Sequence, residues 1–91
     1  FVNSINIIKM LPNTSIGRHR DSGETLEKSL RFHVPIVTND KVMFTVGNET
    51  INMKEGCCYL INNQSLHNVT NETDCDRIHL IFDLYIKNGD E

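Results

Sequence analysis

Apolar and β-branched residues recur along this chain in short runs, and turn residues break the runs at regular intervals. Residues 5–11 form the first run, which Pro12-Asn13 closes. Residues 30–37 form the next, followed by Thr38-Asn39-Asp40. Residues 42–46 and 49–53 flank Gly47-Asn48, a dipeptide of the kind that closes a two-residue hairpin. Lys54-Glu55-Gly56 turns the chain into 57–61, a loop at 62–65 precedes 66–70, and 77–86 is the longest apolar stretch. Short strands with turn signals at this spacing predict an all-β sandwich or barrel. Only residues 23–30, with Glu24, Leu26, Glu27 and Lys28, read as helical. That segment is too short to stand alone, so it is expected to be an ordered insertion. The acidic end Gly89-Asp90-Glu91 is expected to fray.

With 91 residues the chain is one small domain. A domain of this size buries only roughly 60–65% of its unfolded surface, so a bound ligand or flanking sequence could supply part of its stability. The start at Phe1 rather than Met suggests a piece cut from a longer protein. Nine Lys and Arg against twelve Asp and Glu give a formal charge of −3, which argues against a nucleic-acid groove. No apolar run approaches the roughly 18–20 residues of a membrane span. Cys57, Cys58 and Cys75 are an odd set without metal-site spacing, and the adjacent pair points to opposite faces of a strand. Three reduced cysteines in a cytoplasmic protein is the expected reading. The Asn-x-Ser/Thr triplets at Asn13, Asn48, Asn63, Asn68 and Asn71 are read as chance matches in an asparagine-rich chain.

Six residues carry the chemistry: His19, Asp21, Arg31, His33, His67 and Arg77. His19 and Asp21 are two apart, so an extended segment projects both from one face. His67 opens another predicted strand far downstream. Two histidines and a carboxylate are the facial ligand set of non-haem Fe(II) oxygenases, which leaves the other side of the metal open. Zinc accepts the same ligands, so the set alone does not choose the metal. By itself His-x-Asp is a weak signal in a chain with four histidines and twelve acids. Arg77 changes the weighting. It heads an apolar strand, and an arginine in a half-buried strand needs an anion. A dicarboxylate gripped by two parallel hydrogen bonds would supply one, and so would Asp74, Asp76 or another acid. Arg31 and His33 share one strand face, with Phe32 and Val34 on the other, which again suits an acidic ligand. The plainer readings there are a solvated face, or a histidine bonded to a backbone carbonyl. His79 projects with Arg77 and reads equally as a pocket residue or a satisfied core histidine.

The pieces Gly17-Arg18-His19-Arg20-Asp21, Arg31-Phe32-His33-Val34-Pro35-Ile36, Met53-Lys54-Glu55-Gly56, Ile61-Asn62-Asn63, His67-Asn68-Val69-Thr70-Asn71 and 76–83 fall in a familiar order. The run from Gly17 to Asp83 resembles the aspartyl/asparaginyl β-hydroxylase family of 2-oxoglutarate oxygenases, which includes some proline hydroxylases. The resemblance implies a double-stranded β-helix, a jelly roll or cupin-like barrel of about eight short antiparallel strands, over residues 1–91, without most of the family's N-terminal extension. It implies that His19, Asp21 and His67 bind Fe(II), and that Arg77 binds the distal carboxylate of 2-oxoglutarate. It further implies that Arg31 and His33 contact the cosubstrate's other end. Some animal members carry glycine in place of the carboxylate ligand, so Asp21 aligns the chain with the full-triad, microbial-type branch. The chain departs from many relatives at Cys57-Cys58-Tyr59, where they carry an aromatic residue, often tryptophan, directly after the glycine.

The expected activity is therefore an iron- and 2-oxoglutarate-dependent dioxygenase that hydroxylates an amino-acid or peptide side chain, with dioxygen as oxidant. Loops at 22–29 and 39–41 are the candidates for substrate choice. Partners are a small-molecule or peptide substrate, with no nucleic acid or membrane. Two rival readings remain open from the residues. A cupin-type metalloenzyme would keep the triad without needing Arg77, and a non-catalytic β-sandwich binding module would need neither.

Overall fold

The computed structural model describes residues 2–20, 29–62 and 64–85. Asp21 and the expected helical insertion over 23–28 lie outside the described residues. Eight strands follow in chain order: β1 (Val2–Met10), β2 (Thr14–His19), β3 (Ser29–Val37), β4 (Val42–Val46), β5 (Glu49–Ile51), β6 (Tyr59–Ile61), β7 (His67–Asn71) and β8 (Arg77–Tyr85). They make two four-stranded sheets, ordered β1-β8-β3-β6 and β2-β7-β4-β5, and every pairing is antiparallel. This is the expected all-β double-stranded β-helix. Among the described residues there is no helix, and none long and apolar enough to cross a membrane.

Only β4 and β5 are neighbours both in sequence and in a sheet. Their hairpin closes at Gly47, whose φ of +61° sits at the first central position, the pattern of a type II′ turn. Elsewhere the chain crosses between sheets. Asn13 takes φ +54° after Pro12 and donates its backbone N–H to the Thr73 carbonyl at 3.0 Å. Asn71, fully buried, holds the same end: its Nδ2 donates to the carbonyls of Leu11 (3.1 Å) and Cys75 (2.8 Å). The sequence reading differs from the strands at several places: β1 begins at Val2 and not at Ile5, and β2 falls where no apolar run was expected. Ser29 and Leu30 begin β3 instead of ending a helix, Cys57 and Cys58 lie in the turn after Gly56, and β5 stops at Ile51. In the last case the Asn52 side chain bonds the carbonyls of Asn39 and Val42, both at 2.8 Å, which anchors the chain as it leaves the ladder.

The apolar core between the sheets is small: Met10, Val42, Phe44, Met53, Ile61 and Val69, with Val46 and Tyr59 packed against it. The largest fully buried side chains are instead Arg77, His79, Asn71, Asp83 and Pro35. On β8 the usual amphipathic order is reversed. Arg77, His79 and Asp83 point in and are buried, while Ile78, Leu80, Phe82 and Leu84 lie on the outer face, half-buried. β3 repeats this, with Arg31, His33 and Pro35 inward and Phe32 stacked on Phe82 outside, ring centres 5.0 Å apart. A strand that buries its charges and exposes its aliphatics is built around a polar interior. The interior is where the chemistry lies.

Candidate active site

β2 and β7 bring two histidines together. Along their ladder Ile16 faces Val69, and the next pair is His19 with His67, so a bulge at Gly17-Arg18 adds one residue to β2. On a plain ladder Ile16 and His19 would point to opposite faces, because side chains alternate. The extra residue turns His19 to the same inner face as Ile16, His67 and Val69. The two imidazole rings lie 4.3 Å apart, tilted by 56°. Each ring is oriented in the same way. Nδ1 of His19 donates to the Gly17 carbonyl at 2.7 Å, and Nδ1 of His67 to the Ser65 carbonyl at 2.9 Å. With the proton on Nδ1, the lone pair of each ring is on Nε2, the tautomer that a metal-binding histidine takes. Phe44 stacks parallel to His67 at 6.1 Å and meets His33 edge-on at 5.3 Å, joining these rings to the apolar core.

The opposite sheet supplies cations and a second histidine pair. Arg77 is 2% exposed, and its Nε has no hydrogen-bond partner. The acids that could have paired with it are engaged elsewhere: Asp76 lies 3.7 Å from Lys9, and Asp74 accepts from Asn13. Burial lowers the Arg77 pKa to about 10. His33 and His79 touch through their Nδ1 atoms at 3.0 Å, and Nε2 of His79 is buried without a partner. Arg31 behaves differently from Arg77. Its Nε and Nη2 donate to the two oxygens of Asp83 at 2.8 and 2.9 Å, and Ser4 donates to Asp83 Oδ2 at 2.8 Å. This hydrogen bonding by Arg31, and after it by Ser4, holds the Asp83 carboxyl below the usual carboxylate range, while burial pushes the other way. The pairing needs strand register to see, since Arg31 and Asp83 are direct partners across β3 and β8.

His19, Arg31, His33, His67 and Arg77 all line one cavity of about 160 Å³, with Ile8, Ile16, Phe44, Asn68, Val69 and Ile81 completing its wall. Five of the six residues singled out in the sequence thus share one space, and Asp21 lies outside the described residues. Among the described residues no group of three His, Cys, Asp or Glu is placed to hold a metal. Two imidazoles with their Nδ1 protons committed to carbonyls could form the nitrogen part of a metal site, and Asp21, two residues after His19, could complete it. The donor set fits a divalent first-row metal.

A family model described as aspartyl/asparaginyl β-hydroxylase matches residues 2–86. The chain belongs to that family. A comparison with curated proteins finds no match. By fold, this β-hydroxylase-family chain is similar to a predicted oxalate decarboxylase from Thermotoga maritima, at 14% identity and a TM-score of 0.71, over 93% of this chain and 68% of that one. It is also similar to the cupin domain of Cnp3 from Schizosaccharomyces pombe, at 10% identity and a TM-score of 0.70, over 90% of this chain and 52% of that one. At those identities the likeness is one of fold, and the chain spans about half of the yeast chain. Family and fold together make this a hydroxylase-like protein of the cupin type. Across the turn that carries Cys57 and Cys58, the Tyr59 hydroxyl accepts the Lys54 N–H at 2.8 Å.

The buried groups of this β-hydroxylase-family site give its stability a defined pH dependence. Burial, followed by the nearby Arg77 charge, lowers the pKa of both His33 and His79 from 6.5 to about 3. Between those values the unfolded chain binds protons that the folded chain refuses, so stability falls as pH drops through that window. The slope is up to about 1.4 kcal/mol per pH unit for each histidine. Asp83 acts with the same sign lower down. Its contribution is present above the unfolded carboxylate pKa and is lost as pH falls through its depressed folded value. Urea unfolding of the metal-free protein is expected to show a clearly lower midpoint at pH 5 than at pH 7. A midpoint independent of pH over that range would mean these histidines are not buried neutral. Asp83→Asn keeps the shape but removes the charge, and is expected to cost about 1–3 kcal/mol in the same measurement at pH 7.

Proposed function

We propose that the chain is an Fe(II)- and 2-oxoglutarate-dependent dioxygenase that hydroxylates an amino-acid or peptide side chain. The observation that carries this reading is Arg77, a buried guanidinium with an unpartnered Nε, facing the same cavity as the His19–His67 pair. A buried cation without an acid is expensive, and it is kept where a ligand brings the anion. A cupin-type metalloenzyme that used no acidic cosubstrate would have no need of it.

His19, Asp21 and His67 would hold the metal, with Nε2 of each imidazole as the ligand atom. Iron(II) with 2-oxoglutarate supplies oxidative decarboxylation of the cosubstrate to succinate and carbon dioxide, with one oxygen atom of dioxygen passing to the substrate. Arg77 would hold the distal carboxylate by a charge-assisted, two-pronged pair, which fixes the cosubstrate's direction in the cavity. His33 would offer a hydrogen bond to the same ligand from the neighbouring strand. Arg31, already neutralised by Asp83, would contribute its position beside the ligand more than a net charge. The cavity, at about 160 Å³, is below the roughly 300–1,000 Å³ of pockets that enclose drug-sized ligands. It suits a small dicarboxylate, and the side chain to be hydroxylated would enter from the mouth.

Decarboxylation of carboxyl-labelled 2-oxoglutarate by the iron-loaded protein tests the reading. Release of labelled carbon dioxide that requires both iron and oxygen, and that His67→Ala abolishes, is the expected result. Iron-loaded, folded protein that releases none, with or without candidate amino acids and peptides, would leave the cupin-type alternative in its place.

A further inference from the structure

The contact between His33 and His79 fixes more than packing. Two imidazole nitrogens 3.0 Å apart share one proton, because two protons or none would make the contact repulsive. With both rings neutral, one further proton remains, on Nε2 of either His33 or His79. His33 lines the cavity, and with Nδ1 tied to His79 its Nε2 is the polar atom it has left to offer there. His79 is 1% exposed, and its Nε2 meets no partner.

The two arrangements are not equivalent. If His33 donated to His79, Nε2–H of His79 would be a buried donor without an acceptor, while His33 would present a lone pair to a cavity built for an anion. If His79 donates to His33, the orphaned atom in the core is a bare lone pair, and His33 presents an N–H. An unmet buried donor is the rarer of the two in folded proteins, and a carboxylate in the cavity would be repelled by a lone pair and bound by an N–H.

We propose that His79 is a positioning residue, which donates its Nδ1 proton to His33 and so fixes Nε2 of His33 as an N–H donor to the anionic ligand of the cavity. The ligand side of this rests on the reading of the cavity as a 2-oxoglutarate site, whereas the tautomers themselves do not. His79 is not among the residues that line the cavity, and it acts through His33. The lowered pKa values of both rings agree with it, since neither becomes a cation near neutral pH.

Two measurements test it. In ligand-free, metal-free protein labelled with 15N-histidine, the nitrogen shifts are expected to show His33 protonated on Nε2 and His79 on Nδ1. A proton on Nδ1 of His33 would overturn the proposal. Binding of 2-oxoglutarate to the Fe(II)-loaded protein without oxygen is then compared across variants. His79→Leu is expected to weaken binding about tenfold or more, the loss of one hydrogen bond to a charged group. His79→Asn, whose amide nitrogen falls near the lost Nδ1, should stay within about threefold of the parent. A leucine variant that binds as tightly as the parent would overturn the proposal, because mere filling of space would then suffice. If the parent shows the expected tautomers and yet fails to bind 2-oxoglutarate, the proton arrangement stands and the cosubstrate reading falls.

Discussion

Arg77→Met is expected to raise the thermal stability of the ligand-free protein and to weaken 2-oxoglutarate binding by about thirtyfold to several thousandfold. The two effects have one cause. Arg77 is 2% exposed with its Nε unpartnered, so the ligand-free fold bears the cost of a buried cation. A methionine of similar length fills the space without that cost, and exchanges of this kind are often neutral or stabilising by about 1–4 kcal/mol. In a domain of this size each kcal/mol is worth roughly 4–8 °C. Binding moves the other way, since truncating one partner of a buried charge pair costs about 2–5 kcal/mol. A structural arginine would give the reverse: lower stability and unchanged affinity. Thermal melts and anaerobic ligand titration of the same two proteins distinguish them.

His19→Ala is expected to reduce metal affinity at least about a hundredfold while leaving the two-sheet fold in place, because a lost ligand should cost more than the 10–100-fold typical of a lost outer-shell partner. The bulge at Gly17-Arg18 is what brings His19 opposite His67 on the inner face. Removing the His19 ring takes one nitrogen from that face and leaves the bulge in place. Arg18 itself is exposed and only donates to the Gly47 carbonyl at 2.9 Å, so Arg18→Ala should bind metal within a few-fold of the parent. Titration with Co(II), followed by its visible absorption, reads both variants. A His19→Ala variant with parental affinity would show that His19 is not a ligand.

That bulge also marks where the sequence stops being informative. β4 was legible to the residue, because Gly47-Asn48 closes a two-residue hairpin and thereby fixes its register. His19 and His67 were legible as residue types at separated strand ends. Arg77 was legible because a cation heading an apolar strand demands an anion. The reversal of β8 and β3, with charges inside and aliphatics outside, was half visible: alternation showed which residues share a face, while only the second sheet shows which face is inner. The Arg31–Asp83 pair spans 52 residues, and the His33–His79 contact spans 46. Neither leaves a local trace. Both depend on β3 pairing with β8, a partnership that turns and periodicity do not specify. Asn71 is a similar case, an ordinary polar residue in the sequence that becomes a buried clamp once β1 and the turn after β7 meet around it.

The most direct measurement is anaerobic titration of the Fe(II)-loaded protein with 2-oxoglutarate, following the weak metal-to-ligand charge-transfer band in the visible. A saturable band that is absent without iron, and that needs far more cosubstrate in Arg77→Met, is the predicted result. Folded, iron-loaded protein that gives no band at any concentration would contradict the account.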